Sequence, residues 1–357
     1  MIYVFLMFFI TTFLFNIITV KQTIKYIVPT EYKTVFLAGF IFLTLLFYIY
    51  QFCGSYFAEK LSYNINRILS YTAYYYLSFI LYSAMVYIII FFISLFLKGK
   101  FNLYPLGFAA VIFILLAGTF FKHNTVITEY EISRENYNLS SPLNIVLISD
   151  LHMGYINGNR DLIKLAEKVN ALNPDVVLIA GDVVDMHIEP VIQKNMFDNL
   201  QKIKSRYGIF AVLGNHDIYD RKSETITKLL REKGINVVRD EKILVDNKFY
   251  VAGRDNFSKT PLSSFLEEGK EKPVILMEHT PDRIMEAVEN NVFLQVSGHT
   301  HKGQIFPGEL FTKRIFLLDY GYKKFENTNV IVSSGYGTWG PPIRVGTRSE
   351  ICVIRIK

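Results

Sequence analysis

Five short stretches decide the reading of this chain: 144–154 NIVLISDLHMG, 175–185 DVVLIAGDVVD, 208–217 GIFAVLGNHD, 272–279 KPVILMEH and 292–301 VFLQVSGHTH. Each opens on a run rich in β-branched and aliphatic residues, the signature of a strand covered on both faces. After each run come Asp, Asn or His residues. The first run, a helical stretch near 160–172 and the second run make a βαβ unit, and a further helix is expected over 223–234, SETITKLLREKG. The fold class is therefore α/β. Open α/β sheets build their sites where strands end, and here five strand ends deliver metal-grade donors.

The donors are Asp150 and His152 after the first strand, Asp182 after the second, Asn215 with His216 and Asp217 after the third, His279 after the fourth, and His299 with His301 after the fifth. Five of the seven histidines in the chain lie in these clusters. If strand geometry continues, Asp150 and His152 face one side. Asp182 is the natural bridge between two cations, because a carboxylate offers two oxygens and its strand should lie beside the first. Gly181 and Gly214 let the backbone pass close to the site. A mixed oxygen and imidazole set without thiolates suits Mn, Fe, Zn or Co, with Mn the first choice, and is not a structural zinc site. One such cluster alone reads as turn chemistry. Five in order, each after an apolar run, read as a metal site.

The rest of the chain is a different object. Of 38 Lys/Arg and 32 Asp/Glu, seven and two fall in residues 1–121, leaving 31 and 30 for the remainder. The basic balance thus belongs to the apolar N-terminal third, and the near-neutral C-terminal part lacks the Lys/Arg cluster that nucleic-acid binding needs. Four apolar runs without an internal charge, at about 2–20, 34–53, 72–97 and 103–121, are each long enough to cross a bilayer. The first has no basic lead and no small-residue cleavage site, so it reads as a membrane helix and not a signal peptide. Lys98-Gly99-Lys100 predicts a tight hairpin between the last two. The division expected is a four-span membrane region over 1–121, a linker over 122–143 with one strand at TEYEIS, and a catalytic domain over 144–357. Five Lys/Arg on one set of loops against four on the other leave the side undecided. No Asp, Glu, Lys, Arg or His lies inside the four runs, which favours an anchor over a transport path.

The motif string DxH, GDxxD, GNHD, H, GHxH resembles the calcineurin-like metallophosphoesterase superfamily. GHTHKGQIFP and SSGYGTWGPPIRVGTRSEI resemble its membrane-associated bacterial branch, which includes phosphodiesterases and pyrophosphatases of UDP-2,3-diacylglucosamine in lipid A biosynthesis. Tyr336 and Trp339 depart from that tail, where smaller or aliphatic residues are expected. The resemblance implies a two-sheet sandwich flanked by helices. It implies one metal on Asp150, His152, Asp182 and His301, and a second on Asp182, Asn215, His279 and His299. His216 would be the non-ligand acid and Asp217 its orienting carboxylate. It also favours the cytoplasmic side for the catalytic domain.

The expected function is a multi-pass membrane phosphoesterase that cleaves a phosphodiester or pyrophosphate of a lipid or lipid-linked nucleotide by attack of a hydroxide bridging two divalent metals. Arg344 is a candidate contact to substrate phosphate through a bidentate pair. The alternatives are a tethered phosphodiesterase for soluble substrates and a non-catalytic scaffold that keeps the fold.

Overall fold

The structure, a computed structural model, describes residues 2–134, 142–219, 221–266 and 272–357. The chain divides into two compact units, Met1–Phe120 with Gly340–Ile343, and Phe121–Trp339 with Arg344–Lys357.

The first unit holds four long helices: α1 (Ile2–Tyr26), α2 (Lys33–Lys60), α3 (Tyr63–Phe96) and α4 (Tyr104–His123). All four are long and apolar enough to cross a membrane. α3 starts at Tyr63, well before the expected residue 72, because Ser62 caps it and the backbone ladder runs on past the apolar stretch through Arg67. An apolar run marks what hydrocarbon can cover, and a helix ends only where its hydrogen bonds do. Asn16 of α1 donates to Thr44 Oγ1 of α2 at 2.8 Å and to Tyr76 Oη of α3 at 2.9 Å, so one polar node ties three helices. The 98–100 hairpin brings α4 back onto α3: Tyr75 Oη and Thr119 Oγ1 are 2.8 Å apart, and a Cβ on Gly107 would strike Ile90.

The second unit carries strands β1 (Val126–Ile132), β2 (Leu143–Ile148), β3 (Val176–Ala180), β4 (Ile209–Val212), β5 (Ile235–Val237), β6 (Glu241–Val245), β7 (Phe249–Arg254), β8 (Val274–Glu278), β9 (Leu294–Ser297), β10 (Gly321–Phe325), β11 (Thr328–Val332) and β12 (Glu350–Ile356). Its helices are α5 (Asn159–Ala171), α6 (Glu189–Gln193), α7 (Phe197–Leu200), α8 (Asn215–Tyr219), α9 (Ser223–Glu232), α10 (Ser263–Leu266), α11 (Ile284–Glu289) and α12 (Gly308–Ile315). The strands form two six-stranded mixed sheets, ordered β1-β12-β2-β3-β4-β5 and β10-β11-β9-β8-β7-β6. This is the two-sheet α/β sandwich with flanking helices.

Strand parity builds the sandwich. Ile145 and Leu147 of β2, Leu178 and Ala180 of β3, and Phe210 and Val212 of β4 join Val251, Ile275, Met277 and Val296 in one core between the sheets. The alternate residues Val146, Ile148, Val177 and Ile179 are equally buried, on the outward faces. α5 buries Leu162, Leu165, Ala166 and Val169, the i, i+3, i+4, i+7 stripe of a helix packed on one side.

The segment read as a linker needs correction. Its strand is β1, which pairs in parallel with the C-terminal β12 from Val126↔Glu350 to Ile132↔Ile356. Pairing with a strand more than 200 residues away has no local sequence signal. Residues 135–141 of that linker lie outside the described residues.

Candidate metal centre

The loops after β2, β3, β4, β8 and β9 meet at one end of the sandwich. Asp150 N donates to Gly181 O, and His152 N to Asp182 O, each at 3.0 Å, so the first two loops run side by side. β2 ends at Ile148, and Asp150 and His152 take φ of 54° and 44°. They therefore converge through left-handed turns and not by continuing the strand, as the two-residue spacing had implied. Asp182, His299 and His301 share this conformation, with φ of 49°, 71° and 49°. Such backbone costs about 1 kcal/mol per non-glycine residue and gathers at sites where function over-determines it. Gly181, at φ 84°, leaves room for the His279 ring, whose Nδ1 would lie 2.6 Å from an added Cβ. At Gly214 a Cβ would fall on the Asp182 carboxylate.

Three groups of donors result, each with its donor atoms within 4.8 Å of one another: Asp150, His152 and His301; His152, Asp182 and His216; and Asp182, His279 and His299. His301 Nε2 is 3.3 Å from Asp150 Oδ1, and His152 Nε2 is 3.6 Å from Asp182 Oδ2. His279 Nε2 lies 3.2 Å from both Asp182 Oδ2 and Asn215 Oδ1. Asp182 thus stands between the groups. Asp150, His152, His279 and His301 are essentially inaccessible to solvent, Asp182 and Asn215 are buried, and His216 and His299 are partly open. His279 Nδ1 donates to Ala180 O at 2.7 Å, which leaves Nε2 as the ligating atom. Buried, close-set and of mixed oxygen and nitrogen type, this donor set fits two divalent cations.

A model of the calcineurin-like phosphoesterase family matches residues 143–303. An uncharacterized metallophosphoesterase of Aquifex aeolicus is 30% identical over 243 residues, covering 65% of this chain and 91% of that protein. The chain belongs to the calcineurin-like phosphoesterase family. An uncharacterized metallophosphoesterase of Helicobacter pylori is 34% identical over 227 residues, and the matched region is 61% of this chain and 60% of that one. A zebrafish (Danio rerio) transmembrane protein with metallophosphoesterase domain is 32% identical over 240 residues, covering 60% of this chain and 53% of its own. The family depends on two metals, and the chain carries candidate metal-binding residues while spanning about 60% of the length of the Helicobacter pylori relative.

Charges in this site are set by its crowding. Burial opposes ionisation of Asp150 and Asp182, yet His301 beside the first and His279 beside the second hold both carboxyls well below the usual carboxylate range. Burial lowers His301 and His299 to about 4, so both are neutral and ready to ligate. Burial also opposes charge on His279 and His216, but Asp182 with Asp150, and Asp185 with Asp182, lift these two to about 9.

Two expectations change. Asp217 does not orient His216: its carboxylate accepts from Gly214 N, Val183 N and Val184 N at 2.9, 3.1 and 2.8 Å, stapling the turn after β4 to that after β3. Burial and the charge of Asp182 push it up to about 6 against those three donors. The carboxylate beside His216 is Asp185, whose Oδ1 is 3.3 Å from His216 Nδ1 and 3.5 Å from His152 Nδ1. Its signal was present as the second Asp of GDVVD. Arg344 does not face substrate. It is fully buried, and Nη2 donates to the carbonyls of Ser334, Gly335 and Gly337 at 2.8, 2.9 and 2.6 Å while Nη1 reaches Thr347 Oγ1. An arginine that serves four internal acceptors organises the tail loop behind His301.

Tyr336 is also buried, its hydroxyl donating to Asp161 O at 2.8 Å. A cavity of about 390 Å³ opens beside Asn215 and His299, walled by Tyr219, Asn256, Phe257, Thr280 and Arg283.

Proposed function

We propose that this chain is a membrane-anchored phosphoesterase that uses two divalent cations, Mn first among them, to hydrolyse a phosphodiester or pyrophosphate of a lipid or lipid-linked nucleotide such as UDP-2,3-diacylglucosamine. The observation that carries the reading is Asp182, whose Oδ2 lies 3.6 Å from His152 Nε2 and 3.2 Å from His279 Nε2. Asp150, His152, Asp182 and His301 would hold one cation, and Asp182, Asn215, His279 and His299 the other. Bound there, the cations supply Lewis acidity toward a phosphoryl oxygen and lower the pKa of water.

The chain's own residues then have defined tasks. His216 carries a proton, and Asp185 faces its Nδ1 at 3.3 Å, so Nε2 is the atom that donates to the leaving oxygen. Asp217 holds the peptide groups of Val183, Val184 and Gly214, which fixes the loops carrying Asp182 and His216. Four apolar helices and relatives named as transmembrane proteins support the membrane anchor. Near-neutral charge in the C-terminal unit supports the absence of a nucleic-acid partner.

The test is a substrate panel on the full chain in detergent, with Mn, comparing UDP-linked diacyl sugars, phospholipids and a water-soluble aryl phosphodiester. Turnover confined to lipid-linked substrates is expected. Equal turnover of the soluble ester would make the anchor a mere tether, and none on any of them would overturn the reading.

A further inference from the structure

Helix α12, GELFTKRI, has none of its eight residues buried. Leu310, Phe311 and Ile315 are 44%, 63% and 71% exposed, and Phe306 and Leu317 on its flanks 41% and 56%. Five large apolar side chains within twelve residues therefore stand in water. Such a patch marks a surface with a partner. Phe311 and Ile315 are one turn apart and share the exposed side of the helix with Leu310, Arg314 and Lys313, while Gly308, Glu309 and Thr312 are half-buried on the other, so the outward side carries three large apolar side chains and two cations.

This segment is built onto the metal centre. The Phe316 ring packs edge-on against His299 with centroids 5.9 Å apart. Thr312 Oγ1 donates to Asp319 Oδ2 at 2.8 Å, and Thr300, between the two histidines of GHTH, donates to Asp319 O at 2.6 Å. Gln304 exchanges hydrogen bonds with the backbone of Trp339, whose ring is half exposed. Lys313 and Arg314 stand exposed on the same helix as these apolar residues, whose one acid, Glu309, lies 4.0 Å from Lys313 Nζ. Exposed apolar side chains with cations among them fit the boundary between headgroups and acyl chains of an anionic bilayer.

We propose that residues 306–317 form a lip that enters the headgroup–acyl boundary of an anionic bilayer and passes a lipid phosphate from it to the metal centre. The inference rests on the phosphoesterase reading above, and it gives the substrate class from a surface that the chemistry of hydrolysis does not require. A protein partner or a second copy of the chain on the same face is an outcome of the test.

The chain has one tryptophan, which makes the lip directly readable. The full chain, as Phe311→Trp in a Trp339→Phe background, is placed in nanodiscs of equal parts phosphatidylethanolamine and phosphatidylglycerol. Emission is expected to shift to the blue, to be quenched by lipids brominated high in the acyl chain, and to be shielded from aqueous iodide. Quenching by iodide with none by bromolipid overturns the proposal. So does an emission change that follows protein concentration together with cross-linking between copies. In parallel, Phe311→Asp with Ile315→Asp should slow hydrolysis of a phospholipid in the bilayer on the order of tenfold through the lost apolar contact, with a soluble aryl phosphodiester unaffected. Equal loss on both overturns a delivery role. If the wild type turns over neither ester, the hydrolase reading fails, and the fluorescence still decides the lip.

Discussion

The Nε2 atoms of His152 and His301 stand 3.1 Å apart, with Asp150 Oδ1 3.3 Å from the second. These two ring nitrogens and the carboxylate oxygen form one of the close-set donor groups of the site, and together they would suit a single divalent cation.

Metal uptake should release protons. His279, lifted to about 9 by Asp182 and Asp150 against the cost of burial, must give up its Nε2 proton to ligate. Titration calorimetry of the chelator-stripped protein with Mn at pH 7.5, in buffers of different ionisation enthalpy, should show about one proton or more released per chain, and affinity should weaken as pH falls. A heat independent of buffer would contradict the assignment.

His216→Gln should keep both metals and lose turnover by about 10²–10⁴-fold, the range of a positioned general acid. The loss should shrink for substrates whose leaving oxygen needs no proton. A uniform loss across leaving groups would instead make His216 a phosphate contact.

Asp185→Asn separates the two carboxylates around His216. Without metal, His216 sits at about 9 because Asp185, Asp182 and Asp217 outweigh its burial. A histidine raised in the fold stabilises it fully below its unfolded value near 6.5, and that gain disappears as pH rises through 9. The metal-free wild type should thus lose thermal stability between pH 6.5 and 9, and the Asn variant should show a smaller slope there. An identical slope would mean that Asp185 does not govern the charge on His216.

Asp182→Asn should impair both metal positions, because Asp182 Oδ2 lies 3.6 Å from His152 Nε2 on one side and 3.2 Å from His279 Nε2 on the other. Elemental analysis that still finds two ions per chain would remove Asp182 as the bridge.

Arg344→Ala should destabilise the second unit by about 3 kcal/mol, since the carbonyls of Ser334 and Gly337 lose their arginine donor at about 1–3 kcal/mol each, while Gly335 O keeps Glu350 N at 3.0 Å. Denaturant titration reads this directly. A fully stable variant with raised KM would return Arg344 to the substrate.

Much of the site was legible because its ligands are tied to local grammar. A strand buried on both faces must be a continuous apolar run, and the polar residue that ends it is visible at once, so Asp150, Asp182, Asn215, His279 and His299 could be placed without coordinates. The second Asp of GDVVD was visible too, but its partner was not. Asp185 reaches His216 across two loops, while Asp217, next to His216 in the chain, turns to the backbone instead. Neighbours in sequence are a poor guide to neighbours among short side chains on turns.

By itself the sequence determined the two objects in this chain, an apolar four-helix region and an α/β domain whose strand ends carry candidate metal ligands, because hydropathy and strand period are local properties. The tertiary structure alone decided what depends on distant pairing. β1 joins β12 across the length of the domain, Arg344 turns inward to carbonyls that only the folded tail presents, and α12 keeps its apolar side in solvent beside His299. Whether a hydrophobic residue faces a core or faces out is settled by what packs against it, and no pattern in eight residues records that.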